Sequence, residues 1–122
     1  MKIEAGDCFH LSSGVTHLWV ALCDPFGDPA RIVLVNFTDE RNTPDKTLVL
    51  VDGHSYITKP TAINYPMMRD VDAVKLSIAV DGDISIRHRH TCTADLLSKI
   101  RAGVFASPFT PNKYKVLCKS LW

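Results

Sequence analysis

Along the chain, apolar residues fall into short runs cut by glycine, proline and clusters of acid and amide, a pattern that predicts strands. Cys8-Phe9-His10-Leu11 is the first run, after a Gly6-Asp7 turn, and Ser12-Ser13-Gly14 turns the chain again. Residues 17–23 (HLWVALC) form a nearly unbroken aromatic strand. Two prolines and a glycine within residues 24–29 end it, since they cannot continue a ladder. Residues 31–38 (RIVLVNFT) are so continuously β-branched that burial on both faces is expected. A polar loop, 39–46 (DERNTPDK), is expected to be mobile and exposed, and 47–51 (TLVLV) to be a buried strand. Asp52-Gly53 turns the chain into His54, residues 55–58 extend again, and Lys59-Pro60-Thr61 bends it toward Tyr65. Pro66 is expected to stop any strand there, and 67–71 to be a helical turn or a loop. Residues 72–79 (DAVKLSIA) suit strand or short helix, and strand is favoured; Asp81-Gly82-Asp83 suits a hairpin turn into a strand over 84–90 (ISIRHRH).

The period then changes. Thr93 is placed to cap a helix with Asp95 in its first turn; Leu96, Leu97, Ile100 and Val104 share one face, and Gly103 supplies a natural stop. Thr110 can cap a last helix with Pro111 at its first position, its apolar face being Tyr114, Leu117, Cys118 and Leu121. Five or six short strands followed by one or two helices predict a single α+β domain over 1–122. A small, strongly curved antiparallel β-barrel suits the short, turn-rich strands better than an open sheet.

Composition changes this picture little. At 122 residues and 46% hydrophobic, the chain can bury a core without staples. No apolar run approaches the ~20 residues that span a bilayer, and the N-terminus lacks a basic region followed by a long apolar core. A cytoplasmic protein is expected, with no membrane contact. Its four cysteines are then expected to be reduced, buried hydrophobes: a zinc cluster of Cys8, His10, Cys23 and a distant histidine would lack the usual metal-finger spacings. The net charge of +1 is uneven: residues 1–60 carry 5 Lys/Arg against 8 Asp/Glu, and residues 61–122 carry 9 against 5. The second half therefore leans toward an anionic partner.

Candidate chemistry centres on the histidines, which titrate near neutral pH and commonly move protons. His17 opens the aromatic strand and His54 follows a buried one. If those strands are neighbours, the two rings approach. Cleaving RNA by 2′-hydroxyl attack needs a base, an acid and a cation, and His17, His54, Tyr65 and Lys59 could supply them. The plainer alternatives are that His54 bonds backbone groups after the Asp52-Gly53 turn and that His17 caps a strand. Arg87-His88-Arg89-His90 would place two arginines on one strand face, able to hold phosphate, and two histidines on the other, able to hold a metal. A solvated edge strand blunted by charge is the commoner use of such a run, and no metal site or cofactor is expected. Asp81-Gly82-Asp83 lacks the ligand series of a calcium loop, Ser12 and Ser13 have no nucleophile-elbow context, and no phosphate loop or dinucleotide glycine pattern occurs. Trp19 is expected in the core, and Trp122 docked onto the barrel or on a partner.

The order of segments over residues 6–65 resembles the MazF/PemK-type toxin domain: Gly6-Asp7, a strand, a glycine turn, the strand from His17, then 31–38 and 48–51. The resemblance implies an SH3-like barrel with a C-terminal helix, RNA endonuclease activity, an antitoxin protein as partner and a homodimer. Thr38 stands where that family has a strand-ending Thr or Ser. Thr16-His17 stands where the family has Arg-Pro, so its catalytic arginine is missing. Two functions follow. One is a toxin-like endoribonuclease that cleaves single-stranded RNA without metal, with His17, His54, Thr38 and Tyr65 at the chemistry and Lys59, Arg87 and Arg89 on the RNA. The other is a non-enzymatic barrel used as a protein-interaction module.

Overall fold

The computed structural model describes residues 2–13, 15–82, 87–89 and 91–122, and only the backbone of 12–13, 15–16 and 87–89. Six strands form one antiparallel sheet: β1 (Cys8–Ser13), β2 (Val15–Ala21), β3 (Arg31–Asp39), β4 (Val49–Leu50), β5 (Thr61–Asp72) and β6 (Arg87–Arg89). Their order is β4-β5-β3-β2-β1-β6. Helix α1 (Ala73–Gly82) interrupts the strands; α2 (Ala94–Ala106) and α3 (Asn112–Lys119) follow them. The α+β class is as expected. The sheet curls into a half-barrel, bringing His10 on β1 and Tyr56, in the loop after β4, to ring centroids 5.5 Å apart. Among the described residues, no helix is long and apolar enough to cross a membrane.

β3 is the spine. Residues 32–38 are all buried, as its β-branched run predicts for a strand covered on both faces. β5, its partner, overturns two expectations. It runs 12 residues straight through Pro66, and 67–71 belong to it as strand. The register explains how. Leu34 pairs with Arg69 and Asn36 with Asn64, so residues 65–68 bulge out opposite Val35. Within the bulge, Pro66 removes no ladder hydrogen bond.

Residues 73–82 are helical and not strand: the Lys75 amide donates to Asp72 Oδ1 (2.9 Å), closing the first turn, and Ala73 and Leu76 bury one face. Asp81 and Gly82 end this helix, and Asp83 lies outside the described residues. Of the strand expected over 84–90, residues 87–89 are seen, and 84–86 and 90 lie outside the described residues. The expected buried strand at 47–51 shrinks to the two residues of β4, an edge strand whose flank Val51 is 68% exposed. Residues 55–58 are turns and bends, not an extended piece. The 39–46 loop is anchored: Thr43 and Asp45 are buried, and the Asp45 carboxylate accepts from Ser107 Oγ (2.7 Å) and the Thr47 amide (3.0 Å).

Thr93 caps α2 as expected, accepting from the Leu96 amide. Gly103 does not end the helix, which continues to Ala106; the glycine instead makes room for Tyr65, whose hydroxyl donates to the Ile100 carbonyl (2.8 Å). α3 begins after Pro111 with no side-chain cap, and Thr110 Oγ1 is buried without a partner among the described residues.

Tyr114 ties α3 to the sheet. Its hydroxyl donates to Asp70 Oδ1 (2.8 Å), and Arg31 donates to Oδ2 (2.9 Å). Burial opposes ionisation of Asp70, but these two donors outweigh it and hold the carboxyl below its ordinary range. Its stabilisation is therefore present above the unfolded value near ~4 and fades as pH falls through the lower folded value. Asp70→Asn should cost about 1 kcal/mol at pH 7, discounted for the partial exposure of both partners. In pH-dependent urea unfolding, the gap to the parent protein should narrow below about pH 4.

Candidate functional site

Register and alternation build one polar sheet face. Trp19 on β2 pairs with Asn36 on β3, and Asn36 pairs with Asn64 on β5, so the three lie side by side. His17 and Thr38, each two residues along, share that face. Above it lies a groove of about 480 Å³ that these residues line with Asn42, Met67 and Arg69. At His17, Thr38 and Asn42 it meets a second cleft of about 300 Å³, lined further by Asp39, Tyr56 and Lys59.

The floor of the groove is polar and incompletely satisfied. Asn36 is 1% exposed, and its Oδ1 has no hydrogen-bond partner among the described residues. The same holds for the buried Nε of Arg69. Such atoms are costly unless something meets them. The Arg69 guanidinium lies 4.1 Å from the centre of the Trp19 ring, a cation–π stack that leaves Trp19 almost covered. In the second cleft, Asp39 pairs with both Arg41 (2.7 Å) and Lys59 (3.0 Å). Hydrogen bonds from Arg41, then from Lys59, hold the Asp39 carboxyl well below its ordinary range. Two cations facing one carboxylate leave this corner positive.

Of the residues expected at the chemistry, His17 and Thr38 come together, and Lys59 lies in the adjoining cleft. His54 does not join them. β2 and β4 are separated by β3 and β5, so the condition on which the two rings would approach, neighbouring strands, is not met. His54 lines neither cleft. It packs edge-on against Phe37 (5.8 Å), and its Nδ1 accepts from the Tyr56 amide (3.0 Å), as the plainer alternative for a histidine after a turn holds. Tyr65 also stays out. It is fully buried under α2, and burial raises its hydroxyl far above the ordinary tyrosine value, which suits packing and not proton transfer. Arg87 and Arg89 stand on β6, at the sheet edge, paired with His10 and Cys8 and separated from β2 by β1.

Sequence reasoning passed over Asn36, Asn64, Arg69 and Trp19 as site residues. Asn36 carried a signal: one amide inside an otherwise apolar, β-branched run is a buried polar group that needs a reason. Comparison with protein-family models, curated proteins and solved structures finds no match.

Proposed function

We propose that this groove binds single-stranded RNA and cleaves it by attack of a ribose 2′-hydroxyl on the adjacent phosphate. One observation carries the reading: His17 and Thr38 sit together where two clefts meet, with Lys59 on one side and Arg69 on the other. His17 takes the proton of the 2′-hydroxyl. The 2′-oxygen bonds to phosphorus, the bond to the 5′-oxygen breaks, and the leaving oxygen takes a proton from water in the open cleft. Thr38 donates to a phosphate oxygen, and Lys59 with Arg41 offsets the charge that builds on the phosphorane. The outer face of the Arg69 guanidinium offers a surface for a base to stack on, and the amides of Asn36 and Asn64 match base edges.

The resemblance to MazF/PemK-type toxins supports the same reading. On it, the curled sheet is an SH3-like barrel, the protein works in the cytoplasm as a homodimer, an antitoxin protein is its partner, and His17 serves in place of the missing arginine. The test is incubation of purified protein with end-labelled single-stranded RNA without added divalent cation. Fragments ending in 2′,3′-cyclic phosphate are expected. Intact RNA at high concentrations of folded protein rejects the enzyme and leaves the non-enzymatic interaction module.

A further inference from the structure

Behind the sheet, on the side away from the groove, the curl brings together three residues from distant parts of the chain. Cys8 opens β1, Cys92 follows β6, and His54 lies in the loop after β4. One ligand atom from each falls within 4.8 Å of the other two. We propose that Cys8, His54 and Cys92 hold one zinc ion.

The sulfurs set the scale. They lie 3.6 Å apart. A disulfide needs about 2.05 Å. Two thiolates at zinc–sulfur distances of about 2.3 Å in a tetrahedron stand about 3.7–3.8 Å apart. The spacing, that of a thiol–thiol hydrogen bond, is also close to one edge of a zinc tetrahedron. The backbone fixes the pair independently of any ion. The Cys92 amide donates to the Gly6 carbonyl (2.9 Å), and the Cys8 thiol turns toward the same oxygen (3.4 Å). Gly6 has φ +92°, and a Cβ there would press on Thr91 at 3.3 Å, so glycine permits this crossing.

Two thiolates and an imidazole are the soft and borderline donors that zinc selects, and three protein ligands leave the fourth tetrahedral position to water. Cys8 and Cys92 are buried while His54 is half-buried, so the site is closed behind the sulfurs and reached from the His54 side. The Tyr56 amide donates to Nδ1, so zinc bound through Nε2 would require the ring proton to move to Nδ1 and that hydrogen bond to be given up. The ion would fasten the loop that carries Tyr56 and Lys59 of the cleft onto β1 without entering the cleft. Neither the site nor its test depends on RNA cleavage.

Reduced protein, kept in a phosphine reductant, is loaded with zinc and analysed for metal, and with cobalt(II) for absorption. One metal per chain and an intense thiolate-to-cobalt charge-transfer band are expected. Cys92→Ser should abolish the band. His54→Ala, with its fold checked by circular dichroism because the ring packs on Phe37, should weaken zinc by more than the roughly tenfold that losing even an outer partner costs. Cys23→Ser should bind as the parent does. Zinc removal should lower the melting temperature of the parent and leave that of His54→Ala unchanged. Folded, reduced protein that takes up no zinc and shows no cobalt band overturns the site, as does binding that survives both Cys92→Ser and His54→Ala.

Discussion

Replacing His17 with alanine should slow RNA cleavage by about 10²–10⁴-fold, the range for loss of a general base, with the fold intact. His17 is half-buried at the mouth of two clefts, on a strand held on both sides by β1 and β3. Truncating it opens space into solvent and no core cavity, so thermal stability should move little. On the proposed reading the loss should fall on kcat, because other side chains would hold the RNA. Arg69→Ala gives the complementary split, a raised KM, since Arg69 is the stacking and charge surface over Trp19. Single-turnover rates and RNA affinities for the two variants check this. Equal losses of melting temperature and activity in His17→Ala would mark His17 as a structural residue.

Gly103→Ala should destabilise the protein by about 2 kcal/mol or more, although alanine is the better helix former by about 1 kcal/mol. A Cβ at this position would fall 1.8 Å from the Tyr65 hydroxyl oxygen and 2.4 Å from its ring carbon. Tyr65 has nowhere to go: it is fully buried and bonded to Ile100 on the same helix. Either the ring leaves its rotamer or α2 lifts from the sheet, and both forfeit packing along Ile100 and Val104. For a domain of this size the melting temperature should fall by about 10 °C. Tyr65→Phe in the Gly103→Ala background removes the nearest atom, so the double variant should recover part of the loss, a coupling that a double-mutant cycle reads directly. A Gly103→Ala protein more stable than its parent would refute the packing account.

The parts of the fold legible in sequence were those whose local chemistry has one outcome. The β-branched run from Arg31 pointed to a strand buried on both faces or at a sheet centre, and Thr93 before Leu96 and Leu97 to a helix cap, and both are found. Elsewhere the outcome depended on partners. Pro66 breaks a strand unless it falls in a bulge, and the bulge exists because Arg69 pairs with Leu34 while Asn64 pairs with Asn36. Gly103 signals a helix end unless a side chain from another element needs its space. Misreading β5 also hid Asn64 and Arg69, since residues assigned to a loop cannot be placed on a sheet face. His17 and Lys59 drew notice from their places near strand ends and Thr38 only through the resemblance; the structure sets all three on the two clefts. Cys8 and Cys92 were not legible as a pair, because 84 residues separate them and spacing rules see only neighbours.

The most direct measurement uses one RNA and one change. A labelled single-stranded RNA is cleaved and its cut position mapped, and the same strand is then made with a single 2′-deoxyribose on the 5′ side of that bond. The ribose strand should be cut there to a 2′,3′-cyclic phosphate and the deoxy strand should survive at that bond, because the attacking oxygen is gone. Equal cleavage of both strands, or cleavage of neither, would contradict the account.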